Sequence, residues 1–476
     1  MSKSVIKSKS FIYLFSKIFA ALFQLLSIFL FTRIFSTKVY GDFILFSSYV
    51  MFICSFVFWW HRLSVYRYFH KFKKRYSTFI KTSYFSFYAL CTFLIVIYLF
   101  LYIFSSTGFL KVSDIFLLSI LAATLRSIFD LNQNLLNINR DDTFFGLNII
   151  IRPLLFLSVC LFVHNFFPNS QYALLIGFIS SFAISSIYSS YYIQKNTGDG
   201  SFDINIIKKF ISYGFPLTGL FLFDFILTYS DRILIGYFYD SKMVGIYGAN
   251  YDFIKQLILF LVIVQGLIIY PEINRTYEKG NQIELENLMS LNFNLFIVII
   301  LPLSIFVAFF NEFITSIFIG DNFNYTSSLL IPSFSFMFFL WGLKIYHFDY
   351  VFFLREKTRL SMKILLFGSL INICLNLVFI PRYELMGAAF STLLAYLICL
   401  VLSFYKGREL MIINIDKSIL LKALFFVSIS ILITFVIKFM NFNIAYQIPT
   451  FILIYSLLTL LFNSVALKDF KKRFVF

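Results

Sequence analysis

The sequence predicts an all-α polytopic membrane protein of about fourteen transmembrane helices. Three observations carry that prediction: an apolar, charge-poor composition, a succession of apolar runs of spanning length, and an internal repeat in matching order. Of 476 residues, 60% are apolar and 13% charged, where a soluble domain is about half apolar and about a quarter charged. The 69 Phe and 30 Tyr supply more aromatic surface than one water-facing core could hide, so most rings must meet lipid or neighbouring helices.

A span needs ~20 mostly apolar residues. Such runs lie at about 11–33, 42–60, 84–105, 114–138, 144–165, 171–193, 206–230, 243–270, 288–310, 328–353, 362–381, 385–404, 418–439 and 445–463. Lys3, Lys7 and Lys9 before the first run imitate a secretory signal, but the run continues past Phe31 without a small-residue cleavage site and reads as a retained span. Pro216, Pro302 and Pro332 fall inside or near the ends of spans, where neighbouring helices satisfy the freed carbonyls and a kink results.

Cytoplasmic loops retain Lys and Arg. With the N-terminus inside, 28 of the 40 Lys and Arg lie on the cytoplasmic side, including Arg67, Lys71, Lys73, Lys74, Arg75 and the tail Lys468, Lys471, Lys472 and Arg473. Seven lie outside: Arg33, Lys38, Lys111, Arg232, Lys242, Arg382 and Lys438. Both termini are therefore expected in the cytoplasm. The loops are too short to hold a soluble catalytic domain. The net charge of +17 is dispersed between apolar runs, whereas a nucleic-acid binder concentrates its cations on one solvated patch; no nucleic-acid partner is expected.

The repeat begins with Arg33-IFSTKVY-Gly41 and returns as Arg232-ILIGYFYDSKMV-Gly245. Arg140-Asp141-Asp142-Thr143 between the fourth and fifth spans matches Arg355-Glu356-Lys357-Thr358 between the tenth and eleventh, followed at similar intervals by Pro168 and Pro381. Six spans per half keep the same orientation, which implies a parallel repeat about an axis along the membrane normal. The expected organisation is an N-terminal lobe at 1–205, a C-terminal lobe at 206–410, and two further helices with a basic tail at 411–476.

Ionisable residues inside a membrane usually face a bundle interior or a watery cavity. Arg126, Asp130, Gln133, Asn134 and Asn137 recur at helical period in the fourth span, either as a cavity wall or with Arg126 and Asp130 paired one turn apart. Lys17, Ala20, Ala21, Gln24 and Ser27 form a small, polar face of the first span, although Lys17 is near enough to its end to snorkel. Asp224, Thr228 and Asp231 align in the seventh span; Gly248, Asp252 and Lys255 align in the eighth, where Asp252 and Lys255 could neutralise each other. Lys344 shares a broad side of the tenth span with Trp341 and His347, with Asp349 nearby. Asn372 and Asn376 of the eleventh read foremost as interhelical hydrogen-bond partners.

Lys17, Gln24, Arg126, Lys255 and Lys344 are thus candidate substrate-binding residues, and Asp224, Asp231 and Asp252 candidate ion-coupling residues. No metal site or cofactor is expected: His347 has no second histidine at ligand spacing, and Cys54, Cys91, Cys160, Cys374 and Cys399 are scattered through apolar stretches. The chain has no phosphate loop of the GxxxxGK[ST] type, Thr197–Ser201 being a plain turn. The outer loops lack paired carboxylates or a His/Arg-rich segment, so a transporter is expected and not an enzyme.

Four blocks carry a family resemblance: TRIFSTKVYGDF at 32–43; YGFPL at 213–217 with SDRILIGYFYDSKMVGIYGANYDF at 230–253; LPLSIFVAFFNEFITSIFIGDNF at 301–323; and INICLNLVFIPRYELMGAAFSTLLAY at 371–396. In these the chain resembles the Wzx-type O-antigen flippases, the polysaccharide-exporting branch of the multidrug/oligosaccharidyl-lipid/polysaccharide (MOP) exporter superfamily. The resemblance covers nearly the whole chain. It implies a MATE-like pair of six-helix lobes around a central cleft, alternating access, and an undecaprenyl-diphosphate-linked oligosaccharide as cargo, in a bacterial inner membrane. It further implies a cationic cavity, which Lys17, Arg126, Lys255 and Lys344 could supply, and a polysaccharide polymerase and chain-length regulator as candidate partners beside the membrane lipids. The alternatives are a cation-coupled multidrug antiporter of the same superfamily and a membrane-embedded polymerase or ligase.

Overall fold

The computed structural model describes residues 3–106, 114–325, 329–411, 416–440 and 442–462, with side chains of the first stretch described over 15–103. Lys111, the tail cations from Lys468 to Arg473 and the side chains of Lys3, Lys7 and Lys9 lie outside the described residues. Within them all regular structure is helical. Fourteen long helices run in order: α1 Lys3–Ile34, α2 Thr37–Tyr68, α3 Tyr76–Ser106, α4 Asp114–Ile138, α5 Asp142–Phe166, α6 Gln171–Lys195, α7 Ile204–Phe238, α8 Ser241–Glu278, α9 Gln282–Phe309, α10 330–354, α11 358–383, α12 385–410, α13 Lys417–Phe439 and α14 Ile444–Phe462. A short helix, Asn311–Phe318, lies between α9 and α10.

The expected spans are present, and the differences are at their ends. Among the described residues eleven stretches are long and apolar enough to cross a membrane, one of them being α11 and α12 together; α4 and α10, which carry ionisable residues at mid-helix, complete the set. α2 continues to Tyr68, beyond the expected end at residue 60, because the helix tolerates His61 and Arg62 once they have partners inside the protein.

Local chemistry accounts for the helix boundaries. Ser36 caps α2 by accepting from the Val39 N–H, and Asp240 caps α8 by accepting from Met243 N–H at 2.9 Å. Such caps satisfy donors that no helical carbonyl can reach. α4 ends with Arg140 in the left-handed region, φ 58°, the Arg140 N–H bonding to Asn137 O and Asp141 N–H to Leu136 O. α10 ends the same way: Glu356 has φ 55°, its N–H bonds to Phe353 O, and Lys357 N–H to Phe352 O. Both are Schellman closures, and the shared geometry shows the repeat in the backbone itself. Asn169 before α6 and Glu384 before α12 are likewise left-handed, at φ 54° and 51°.

Two helices contain a π turn. In α2 it covers Cys54–Phe58, the Trp59 N–H bonding to Cys54 O; in α10 it covers Lys344–Phe348, the Asp349 N–H bonding to Lys344 O. A π turn inserts about one residue and re-aims everything beyond it.

The chain divides into two compact units. The first comprises residues 1–250, 315–325 and 369–388. Within it α5 packs on α1 and α6, α4 on α2 and α6, and α2 on α7. Its interior is aromatic: Phe43, Phe156, Phe178 and Phe182 interlock with centroid separations of 4.8–6.3 Å. The repeated glycines meet in this unit. A Cβ on Gly41 would fall 1.6 Å from the Ser241 carbonyl oxygen, and one on Gly245 would fall 2.1 Å from that of Thr37. The contact is reciprocal, as it must be where two copies of one element meet near a two-fold axis. Only glycine allows backbones this close.

The second unit comprises residues 251–314, 326–368 and 389–476. Here α9 packs on α10 and α13, and α13 on α14. Stacked rings join its helices, Tyr270 on Tyr350 at 4.0 Å and Trp341 on Tyr396 at 4.2 Å.

Candidate functional site

In the first unit, side chains from α1, α2, α4 and α5 form a charged nest. Arg62 and Asp130 are 3.3 Å apart and partly exposed, at 34% and 20%. Arg126 and Arg152 share one aromatic platform, their guanidinium carbons 5.7 and 4.9 Å from the Phe182 ring centre. Lys17 Nζ is 5.9 Å from the Phe145 ring centre. Asp130 lies within electrostatic range of Lys17 and Arg152, as Arg62 does of Lys17 and Arg126 of Arg152. Four cations therefore surround one carboxylate. In a low-dielectric region such an excess is a strong attractor for a polyanion.

Arg126 does not pair with Asp130 one turn away, which was one of the two readings of that stripe. Asp130 instead goes to Arg62, and the buried Arg126 Nε has no hydrogen-bond partner among the described residues. Both amide atoms of Gln133 are also buried without partners. A buried polar atom of this kind is satisfied by a partner from outside the protein's own atoms, water, ion or ligand. Gln24 is exposed on α1, two turns beyond Lys17.

Arg62 and Arg152 were not among the candidates drawn from the sequence. Arg152 is a cation well inside α5 beside Pro153, and its depth alone was a usable signal. Arg62 gives none, because hydropathy ends its span at residue 60, before it.

A second group in this unit surrounds Asp231. This carboxylate is 1% exposed and accepts from Tyr247 Oη at 2.5 Å and from the Arg232 N–H at 2.8 Å. Next to it Ser230 Oγ is 3.3 Å from Asn372 Oδ1, which also accepts from Asn376 Nδ2 at 3.1 Å. Asn376 Oδ1 is buried without a partner among the described residues. Asp224 is half-buried on the same helix, its carbonyl accepting from Thr228 Oγ1 at 2.8 Å.

In the second unit Lys255 and Asp252 are half-buried, with Lys255 Nζ 5.8 Å from the Tyr251 ring centre. Lys344 is different. It is fully buried, forms an ion pair with Asp349, and lies 4.9 Å from the Trp341 ring centre. Asp349 also accepts from Ser403 Oγ at 2.6 Å and Ser361 Oγ at 3.4 Å. Enclosed and neutralised, Lys344 does not present a cation to a cavity. Residues five apart on an α-helix point ~140° from one another; the π turn from Lys344 brings Asp349 onto the same side. His347, beside this pair, is buried, its Nε2 without a partner among the described residues and its Nδ1 3.5 Å from Asn292 Nδ2. Among the described residues no group of His, Cys, Asp and Glu is arranged to hold a metal ion.

The helical framework and the buried charges define a multi-pass membrane protein. The chain belongs to the polysaccharide biosynthesis protein family, whose model matches residues 32–328. It is similar in structure to the lipid II flippase MurJ in an inward closed conformation, with a TM-score of 0.71 and 14% identity, covering 95% of this chain and 99% of that one. It is also similar to an inward-facing multidrug resistance MATE family transporter of the MOP superfamily, with a TM-score of 0.65 and 13% identity, covering 84% and 97%. These likenesses establish the fold that the chain shares with both. In sequence it is 24% identical over 275 residues to an uncharacterized membrane protein of Methanocaldococcus jannaschii. That match covers 56% of this chain and 52% of the other, so the chain spans about half the length of the curated relative it matches.

Proposed function

We propose that this protein flips an undecaprenyl-diphosphate-linked oligosaccharide from the cytoplasmic to the outer leaflet of a bacterial inner membrane, supplying O-antigen or capsule assembly, with both termini in the cytoplasm. The observation that carries the reading is the nest of Lys17, Arg62, Arg126 and Arg152 against the single carboxylate of Asp130. A diphosphate offers several acceptor oxygens, and arginine forks suit them. The sugar and diphosphate cannot enter hydrocarbon and the prenyl tail cannot leave it, so the head passes through a cleft while the tail stays in lipid.

On this reading the two six-helix lobes, 1–205 and 206–410, rock about that cleft, and the Gly41–Gly245 contact is the outer closure. Moving negative charge outward across an inside-negative membrane is favourable by ~2.3 kcal/mol per charge per 100 mV, so ATP is not needed. The Asp231 group, with the unpartnered Asn376 oxygen, is the place for ion coupling, and Asp224 on the same helix extends it. Lys255 and Gln24 remain proposed cargo contacts, and Asp252 a proposed coupling group; Lys344 is assigned a structural role. A polymerase and a chain-length regulator would act on the delivered cargo.

A cation-coupled multidrug antiporter would require acidic groups to dominate the nest, where cations outnumber the carboxylate. Inside-out vesicles with labelled lipid-linked oligosaccharide provide the test. Translocation of cargo with unchanged chain length supports the flippase; elongation supports an enzyme; neither, with drug efflux instead, supports the antiporter.

A further inference from the structure

The flank of the first unit holds two neighbouring cavities that share the Tyr88 side chain as a wall. One is an apolar groove of about 540 Å³ between α3 and α4, walled by residues that include Phe87, Cys91 and Leu99 on α3 and Leu121, Thr124 and Ile128 on α4. The other, about 530 Å³, is polar and lies where α3 meets the end of α6, with Lys81, Gln194, Lys195 and Asp199 at its rim. Phe87 also borders the small pocket of Arg62 and Asp130, so this one ring stands between the groove and that edge of the charged nest.

A polar cavity beside an apolar one has the polarity of an amphiphile. From Phe87 to Leu99, the α3 wall of the apolar groove, the helix rises ~18 Å, slightly more than the ~15 Å of hydrocarbon in one leaflet. A chain lying along all of it reaches the midplane, which a long isoprenoid chain can do with its phosphate at the polar rim. The rim suits a phosphate. Lys81 and Lys195 are exposed, and Lys81 is held only by the exposed Asp199 at 3.3 Å, a contact weak enough for a phosphate to replace. Exposed Lys73 and Lys74, just before α3, add to the attraction for an anionic headgroup.

We propose that this flank is a docking site for a long polyprenyl phosphate, its phosphate at Lys81 and Lys195 and its chain in the groove between α3 and α4. The inference rests on the reading of the cargo as prenyl-linked and adds where that cargo is held before its head enters the nest. Thr124, the hydroxyl on the α4 wall, is where added bulk would obstruct the chain.

The test uses the full chain in nanodiscs with a photoreactive polyprenyl phosphate of undecaprenyl length, a farnesyl-length analogue, and phosphatidylglycerol as competitor, with labelled peptides located by mass spectrometry. The long probe should label segments 87–99 and 117–128. At about fivefold per lysine, Lys81→Gln with Lys195→Gln should reduce labelling roughly 25-fold. Thr124→Trp, verified by an unchanged thermal unfolding profile, should remove it. Equal labelling by the short analogue together with competition by phosphatidylglycerol would reduce the groove to ordinary boundary lipid and overturn the proposal, as would full labelling of the lysine variant. Translocation is measured separately: its absence in a protein that still labels removes the flippase reading and keeps the site, while normal translocation without labelling removes the site alone.

Discussion

Replacing Lys344 by methionine tests the division between structural and cargo-facing charge. The side chain is fully buried, Asp349 is 4% exposed, and the carboxylate would be left with only Ser403 and Ser361 as donors. Removing one partner of a buried pair costs about 3–5 kcal/mol, while replacing both by apolar residues is often neutral or stabilising by about 1–4 kcal/mol. Lys344→Met should therefore lower thermal stability sharply, and Lys344→Met with Asp349→Leu should restore most of it. Stability is read by tryptophan fluorescence on heating the purified protein, and translocation by the vesicle assay. The reasoning predicts that the double variant both folds and flips. If the single variant melts normally while translocation vanishes, or the double variant folds well yet transports nothing, Lys344 acts on cargo and its structural assignment is wrong.

Other perturbations separate the remaining roles. Arg62→Gln and Arg126→Gln should each weaken cargo binding about 10- to 100-fold, from the ~1.5–3 kcal/mol of a charged hydrogen bond, whereas Asp130→Asn should preserve or raise it by increasing the excess of positive charge; binding of labelled lipid diphosphate checks both. Gly41→Ala places a methyl 1.6 Å from a backbone oxygen and should open the outer contact at about 1–3 kcal/mol. That should raise labelling of a Gln24→Cys reporter by an outside thiol reagent; unchanged labelling would make the glycine contact fixed packing. Asp231→Asn should remove dependence of translocation on sodium or pH without loss of protein level, and retained dependence would move coupling to another group.

Much of this protein was legible along the chain. Span number, the repeat and its punctuation follow from hydropathy and turn chemistry, which are local: Ser36 and Asp240 cap, and the Arg140 and Glu356 turns close, through atoms within a few residues. Helical phase likewise placed Arg126, Asp130 and Gln133 on one face. Phase failed where the helix departed from 3.6 residues per turn. No periodicity rule shows that Lys344 meets Asp349 five residues on, since the π turn is set by what packs around α10. Arg62 was missed for a related reason, because hydropathy ended α2 early while the folded helix runs on and aims the arginine at Asp130 across 68 positions of sequence.

The amino-acid order by itself determined that the chain must live in a membrane, how many times it crosses, and that it is built twice, because burial of apolar length and satisfaction of backbone groups are decided within each helix. Only the tertiary structure decided which charges are spent on each other and which stay available, separating the enclosed Lys344 from the nest around Asp130. The reason is physical: the state and use of a buried charge depend on its nearest partners, and in this protein those partners come from other helices or from a turn that packing reshapes.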